Sequence, residues 1–127
     1  MTDPRYLFDS NACIYVIEGL SGALRQRVEA CDPGEIVTSS IVYAEVLRGF
    51  SPQDAQTIAR GTRLFDVVPV LPFDEHAARA YAKVPFKRGH FDRLIAAHAL
   101  ALGLTIVTSN LADFSDVPGL RVEDWTA

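Results

Sequence analysis

Short apolar runs alternate along the chain with longer segments in which apolar residues recur at helical spacing. The apolar runs are continuous, as expected for strands that are buried on both faces of a sheet. They predict four strands and a short fifth one at an edge, over residues 6–8, 36–38, 67–70, 104–108 and 120–122. Pro69 has no N–H group for a sheet ladder, which favours the edge of the sheet for the third strand.

The segments between these runs are predicted to be helices, over residues 21–30, 40–48, 52–64, 75–83 and 91–102. The last helix carries an apolar stripe that includes Phe91, Ile95 and His98, and Gly103 ends it. We expect His98 to be a buried core residue. Strands that alternate with helices predict an α/β fold with three layers, in which helices cover both faces of a mostly parallel sheet. The length of 127 residues fits a single domain over residues 1–127.

Charge and cysteine content narrow the choice of function and location. The 12 basic and 16 acidic side chains give a net charge of −4, which argues against binding nucleic acid through bulk charge. Cys13 and Cys31 stand alone in the sequence, which fits a cytoplasmic protein in a reducing compartment. The apolar runs are far shorter than the ~18 residues of a membrane span, so no membrane association is expected.

Four acidic residues are placed where open parallel sheets bind ligands, beyond the carboxyl ends of the strands. Asp9 follows the first strand and Asp113 the fourth, while Glu45 and Asp92 lie on the helices that adjoin this edge. Carboxylates that converge on one rim repel each other unless a cation joins them, and hard divalent ions prefer oxygen ligands. The pattern therefore predicts a Mg²⁺ or Mn²⁺ site that acts on phosphate groups.

Each acid taken alone has a simpler interpretation. Asp9 could cap the following helix, and Asp92 could be an anion at a helix N-terminus. Glu45 could pair with Arg48 on a solvated face, and Asp113 could be an ordinary turn residue. The functional interpretation depends on all four acids meeting at one place.

Four segments resemble the signature blocks of PIN domains, and they are closest to the VapC-type ribonuclease toxins of type II toxin–antitoxin systems. They are LFDSNACIY (7–15), SSIVYAEVLRG (39–49), FDRLIAAHAL (91–100) and TSNLADFSDVPGL (108–120). The resemblance implies the strand order 3-2-1-4-5. It also implies that Asp9, Glu45, Asp92 and Asp113 are the catalytic metal ligands, and that Thr108, Ser109 and Asn110 support the last acid.

The same resemblance implies an endoribonuclease that hydrolyses RNA phosphodiester bonds with water activated by Mg²⁺, or by Mn²⁺. Its implied partners are RNA, a cognate VapB-type antitoxin and a second copy of the chain. An antitoxin groove could be formed by Tyr43, Val46, Leu47, Phe50 and Phe65, although these residues could equally be ordinary core. The approach to the third acid, residues 85–91, is shorter than in many relatives, and this bears on the shape of the substrate entrance.

A basic run precedes and follows Asp92. Lys87, Arg88 and Arg93 are predicted to contact the RNA backbone, with a solvated helix face as the alternative.

Other functions remain open at this point. A phosphoacceptor receiver-like signalling domain has a similar length and an acidic pocket, but it needs a lysine after the last strand, and Lys83 and Lys87 both precede the fourth. A phosphatase with an aspartate nucleophile usually has a second Asp where this chain has Asn11. A catalytically silent PIN domain that serves as an interaction module is the third alternative.

Overall fold

A single parallel sheet forms the centre of the computed structural model, which describes residues 3–86 and 91–126. Its strands are β1 (Tyr6–Phe8), β2 (Ile36–Ser39), β3 (Val70–Leu71), β4 (Thr105–Val107) and β5 (Val122–Glu123). They lie in the order β3-β2-β1-β4-β5 and every pairing is parallel. The predicted α/β class and the strand order 3-2-1-4-5 are confirmed.

Six helices connect and cover these strands in the described residues. They are α1 (Ser10–Glu18), α2 (Gly22–Ala30), α3 (Ser40–Gly49), α4 (Ala55–Val67), α5 (Glu75–Tyr81) and α6 (Asp92–Leu102). The N-terminal N–H groups of five of them are capped by the side chain just before the helix: Asp9, Ser21, Ser39, Asp54 and Asp74. None of the described helices is long and apolar enough to cross a membrane.

The third strand begins later than its sequence pattern predicts. Helix α4 continues to Val67, and Val68 is buried in the core directly after it, so strand pairing begins only at Val70. The prediction of a strand over 67–70 was wrong in its first half because an apolar run does not by itself distinguish a helix end from a buried strand. The edge position inferred from Pro69 is correct. β5 is the opposite edge strand and it is equally short.

The core lies on both faces of the three central strands. Leu7, Phe8 and Ile106 are fully buried, and the ring of Trp125 packs edge-on against Phe8 with 5.5 Å between centroids. The register places Phe8 opposite Val107. The residues that follow these strands, Asp9 and Thr108, are therefore neighbours at the carboxyl edge of the sheet.

Candidate active site

Asp9 is a buried carboxyl group at the carboxyl edge of the sheet. Its side chain is 3% exposed, and Oδ1 accepts a hydrogen bond of 2.8 Å from the N–H of Ala12. Asp9 thus caps α1, as the simpler interpretation expected, and it does so inside the candidate site. Its backbone N–H donates to the carbonyl of Val107, which ties the acid to β4.

The segment after β4 lies beside Asp9 and contributes several polar side chains to the candidate site. The buried Thr108 side chain makes a polar contact with Asp9, and its Oγ1 accepts a hydrogen bond of 3.0 Å from the N–H of Asn110. Asn110 Nδ2 donates to Asp113 Oδ2 at 2.6 Å, and the Asp113 N–H donates to the Asn110 carbonyl. Asp113 ends the 3₁₀ turn Leu111–Asp113. Ser109 lies between these residues and is half-buried.

Glu45 reaches the same edge from α3. Its Oε1 accepts a hydrogen bond of 2.7 Å from the hydroxyl of Ser10, the residue directly after Asp9. Between the described residues Glu45 and Arg48 the structure shows no ion pair, so the surface pair considered for the sequence does not form. The contact between Ser10 and Glu45 was not predicted. Because this hydrogen bond joins two helices whose residues lie 35 positions apart, no local pattern could have identified it.

Asp92 is the first residue of α6 and is half-buried. The residue before it, Phe91, makes no side-chain capping bond to the helix. The negative charge of Asp92 is favoured at this end because unpaired N–H groups give a helix N-terminus a partial positive charge.

Burial and neighbouring charge raise the pKa of Asp9 from 3.8 to about 6. Loss of solvent is the largest cause, and the charges of Asp92 and Glu45 raise the pKa further, while the contacts with Thr108 and Ala12 lower it. Three acids from β1, α3 and α6 therefore share one electrostatic environment. Asp113 lies in the segment after β4, where Asn110 donates a hydrogen bond to it, and its charge is not among those that shift the pKa of Asp9.

These acids do not form a closed metal cage. Among residues 3–86 and 91–126, no three histidine, cysteine or acidic side chains lie close enough to hold a metal ion by themselves. Mg²⁺ usually keeps several waters and binds through one or two carboxylates together with phosphate oxygens of the substrate. An open, all-oxygen set of acids fits this mode of binding.

Of the three basic residues predicted to contact RNA, Arg93 lies within the described part of the chain. The Arg93 side chain is buried and pairs with Asp116, where Nη1 lies 2.8 Å from Oδ1 and Nη2 donates to Oδ2 at 3.1 Å. This burial and ion pair do not favour the predicted contact between Arg93 and RNA, which stays a prediction. Lys87 and Arg88 lie outside the described residues.

His98 is the core residue that its place on the apolar stripe predicts. It is 2% exposed, and its Nδ1 lies 2.8 Å from the hydroxyl of Ser39, the last residue of β2 and the N-cap of α3. This contact joins α6, which carries Asp92, to the residue that precedes α3, the helix of Glu45.

Two surface cavities lie outside this site. One, of about 360 Å³, is lined by Tyr43, Leu47, Phe50 and Phe65, four of the five residues predicted to form a groove. The fifth, Val46, is buried in the core. A larger cavity of about 650 Å³ lies between α1, α2 and α4.

Comparison with known proteins places this geometry in context. The family model described as PIN domain matches residues 6–120. The chain is 31% identical to the tRNA(fMet)-specific endonuclease VapC of Salmonella typhimurium, over 95% of this chain and 98% of that protein. It is also 31% identical to Ribonuclease VapC1 of Haemophilus influenzae (strain R2866), with the same coverage of both chains.

Solved structures agree with these relatives. VapBC2 from Rickettsia felis, bound to a DNA fragment from the promoter, matches with a TM-score of 0.85 and 26% identity, over 98% of this chain and 99% of that one. DNA-bound VapBC from Salmonella typhimurium matches with a TM-score of 0.85 and 28% identity, over 96% and 98%. The likeness thus extends over nearly the full length of each chain.

Proposed function

The chain belongs to the PIN-domain family, and from this we propose that it is a VapC-type toxin: an endoribonuclease that is controlled by a cognate VapB-type antitoxin. The match to the PIN-domain family over residues 6–120 argues against the receiver-like and phosphatase alternatives. A single PIN domain over residues 1–127 is part of the proposal.

The observation that carries the proposal is the meeting of Asp9, Glu45 and Asp92 at the carboxyl edge of the sheet. The charges of Glu45 and Asp92 raise the pKa of the buried Asp9 carboxyl, so the three acids lie close enough to repel one another when ionised. A binding site of this kind attracts a divalent cation, and its oxygen donors are those that Mg²⁺ prefers, with Mn²⁺ as the close alternative.

Asp9, Glu45, Asp92 and Asp113 would hold the ion, directly or through its waters. When bound, Mg²⁺ lowers the pKa of a coordinated water and stabilises the charge that develops on the scissile phosphate. The protein orients three of these carboxylates. Burial and the Ala12 N–H orient Asp9. Glu45 accepts a hydrogen bond from Ser10, and Asp113 accepts one from Asn110.

The relatives suggest the substrate. One of them is named for its action on the initiator tRNA and another as a ribonuclease, so we propose that this chain cleaves RNA and that initiator tRNA is the first substrate to test. Because the chain has a net charge of −4, its general affinity for RNA should be low, and recognition should depend on the site and its rim.

The partners are proposed on the same basis. Structures of relatives contain VapB–VapC complexes, which supports a VapB-type antitoxin for this chain. The cavity lined by Tyr43, Leu47, Phe50 and Phe65 offers apolar side chains for such a partner or for a second copy in a homodimer. A cytoplasmic location follows from the proposed RNA substrate.

Cleavage of purified tRNA tests this function. The wild-type chain should give discrete cuts in the presence of Mg²⁺ and none after addition of EDTA, and the Asp9→Asn variant should give none in either condition. Asp66→Asn, which removes an exposed carboxylate on α4, is the matched control and should cut like the wild type. Cleavage that persists in EDTA would contradict the metal assignment, and a folded chain that binds RNA without cutting it would support the silent interaction module.

A further inference from the structure

The ion pair between Arg93 and Asp116 joins the two segments that carry Asp92 and Asp113. Arg93 follows Asp92 at the start of α6, and Asp116 lies three residues after Asp113 in the turn that follows β4. The guanidinium meets the carboxylate through two nitrogens, at 2.8 and 3.1 Å. The pair thus connects Asp92 and Asp113 through a few covalent bonds on each side.

The two partners differ in their exposure to solvent. The Arg93 side chain is 2% exposed, whereas that of Asp116 is 57% exposed. The shorter contact, from Nη1, is an ion pair without hydrogen-bond geometry, and Nε has no hydrogen-bond acceptor among residues 3–86 and 91–126. Within the described part of the chain, Arg93 forms its ion pair with Asp116, and a buried cation depends strongly on the carboxylate that pairs with it. Arg93 therefore holds Asp116, and the turn around it, in one position.

Other residues of that turn are also held in place, by burial or by a hydrogen bond. Phe114 and Val117, on either side of Asp116, are buried in the core. Asp113 is itself hydrogen-bonded to Asn110. The Arg93 contact also ties this turn to the start of α6, beside Asp92.

We propose that Arg93 and Asp116 are positioning residues, which fix Asp113 relative to Asp92 so that both acids can serve one divalent ion. This inference rests on the proposed metal-dependent function and assigns Arg93 no contact with RNA. Outer residues that orient metal ligands typically contribute 10- to 100-fold to metal affinity.

Binding of Mn²⁺ to the purified chain, measured by titration calorimetry without RNA, tests the proposal. Asp116→Asn should weaken Mn²⁺ binding about tenfold, and Arg93→Lys, which keeps the charge but loses the two-nitrogen contact, should have an intermediate effect. Glu29→Gln breaks the exposed 3.0 Å pair with Arg25 on α2 and should leave Mn²⁺ affinity unchanged. Because Asp116→Asn leaves the buried Arg93 charge without its carboxylate, the variant should be less stable, and a thermal melt by circular dichroism sets a temperature at which both chains are folded for the titration.

A double-mutant cycle separates positioning from general stability. In an Asp113→Asn background, the further change Asp116→Asn should alter Mn²⁺ affinity by less than about twofold, because the ligand that Asp116 positions is already lost. Equal weakening in both backgrounds, or an Asp116→Asn variant that binds Mn²⁺ like the wild type, would overturn the inference while the proposed function stands. A wild-type chain that binds no Mn²⁺ would overturn both.

Discussion

The hydroxyl of Ser10 donates a hydrogen bond of 2.7 Å to Oε1 of Glu45, which lies 35 positions further along the chain. This bond joins the first residue of α1 to the middle of α3, immediately beside the buried carboxyl of Asp9. It limits the rotation of the Glu45 side chain, whose position must be defined if it is to hold a metal ion or one of its waters.

Loss of this hydroxyl should reduce activity more than stability. Ser10→Ala should lower the rate of RNA cleavage about tenfold, because Glu45 is no longer oriented. The free energy of unfolding should fall by only about 1 kcal/mol, the typical contribution of one hydrogen bond. Cleavage assays and urea unfolding measure the two effects. Ser51→Ala, which removes an exposed hydroxyl two residues after the end of α3, is the control, and equal losses in both variants would argue against a role for Ser10 in the site.

Asp9→Asn should stabilise the metal-free protein at neutral pH. The folded pKa of about 6 lies above the unfolded value of 3.8, so the stability that Asp9 contributes is fully present below pH 3.8 and is lost as the pH rises through 6. A rise of this size corresponds to roughly 3 kcal/mol. Asparagine remains uncharged and also caps helices well, so it avoids this loss.

Urea unfolding in EDTA at several pH values measures that difference. We expect Asp9→Asn to exceed the wild type by up to about 3 kcal/mol at pH 8 and to lose this advantage below pH 4. Added Mg²⁺ should raise the stability of the wild type and leave the variant nearly unchanged, since ligand binding stabilises only the form that binds. A variant that is less stable than the wild type at pH 8 in EDTA would contradict the argument.

Thr108 can be tested by two substitutions of similar size. Thr108→Val removes the hydroxyl that contacts Asp9 and accepts from the Asn110 N–H, so it should lower stability by about 1–3 kcal/mol and raise the pKa of Asp9 further. Thr108→Ser keeps the hydroxyl and should retain most of the activity. Cleavage rates across pH 5 to 8 distinguish the two variants, and similar profiles for both would exclude a role for the hydroxyl.

His98 should give the protein a pH dependence of the opposite sign to that of Asp9. Burial lowers the pKa of His98 below its usual 6.5, so the stability associated with the neutral ring is present above pH 6.5 and is lost as the pH falls through the folded value. Asp74 lies close enough to His98 to oppose this shift.

His98→Gln should be less stable than the wild type at pH 8 by about 1–3 kcal/mol, since it replaces a buried, hydrogen-bonded ring. This difference in the free energy of unfolding should become smaller below pH 6. There the unfolded wild-type chain binds a proton at His98 more readily than the folded one, so the wild type loses stability. His76→Gln, which changes an exposed histidine on α5, is the control. A difference that widens at low pH would mean that the folded protein favours the charged ring.

The central strands could be predicted from sequence because their environment is uniform. Residues 7–8 and 36–39 are buried, so the apolar residues that begin the two predicted strands, 6–8 and 36–38, have one physical meaning. At the edge the same signal is ambiguous: Val67 and Val68 are apolar because they end α4 and enter the core, not because they pair in a sheet. Tertiary packing decided between the two readings.

The candidate site was predictable to the extent that it depends on positions after strands. Asp9 and Thr108 follow paired strands, and the register brings them together. Ser10 and Arg93 could not be assigned in this way, because their roles come from partners 35 and 23 positions distant. A local sequence pattern gives the type of a residue and of its neighbours along the chain. It does not predict which distant residue will lie within hydrogen-bond distance once the helices pack on the sheet.

The two-residue strands at both ends of the sheet also constrain how this protein meets other chains. β3 and β5 present few unpaired backbone groups, and Pro69 and Pro72 flank β3 without an N–H to offer. Another chain can therefore gain little by adding a strand to the sheet. Association must instead use helical surfaces and side chains, so partner choice can diverge through surface substitutions while the sheet that positions the acids stays unaltered.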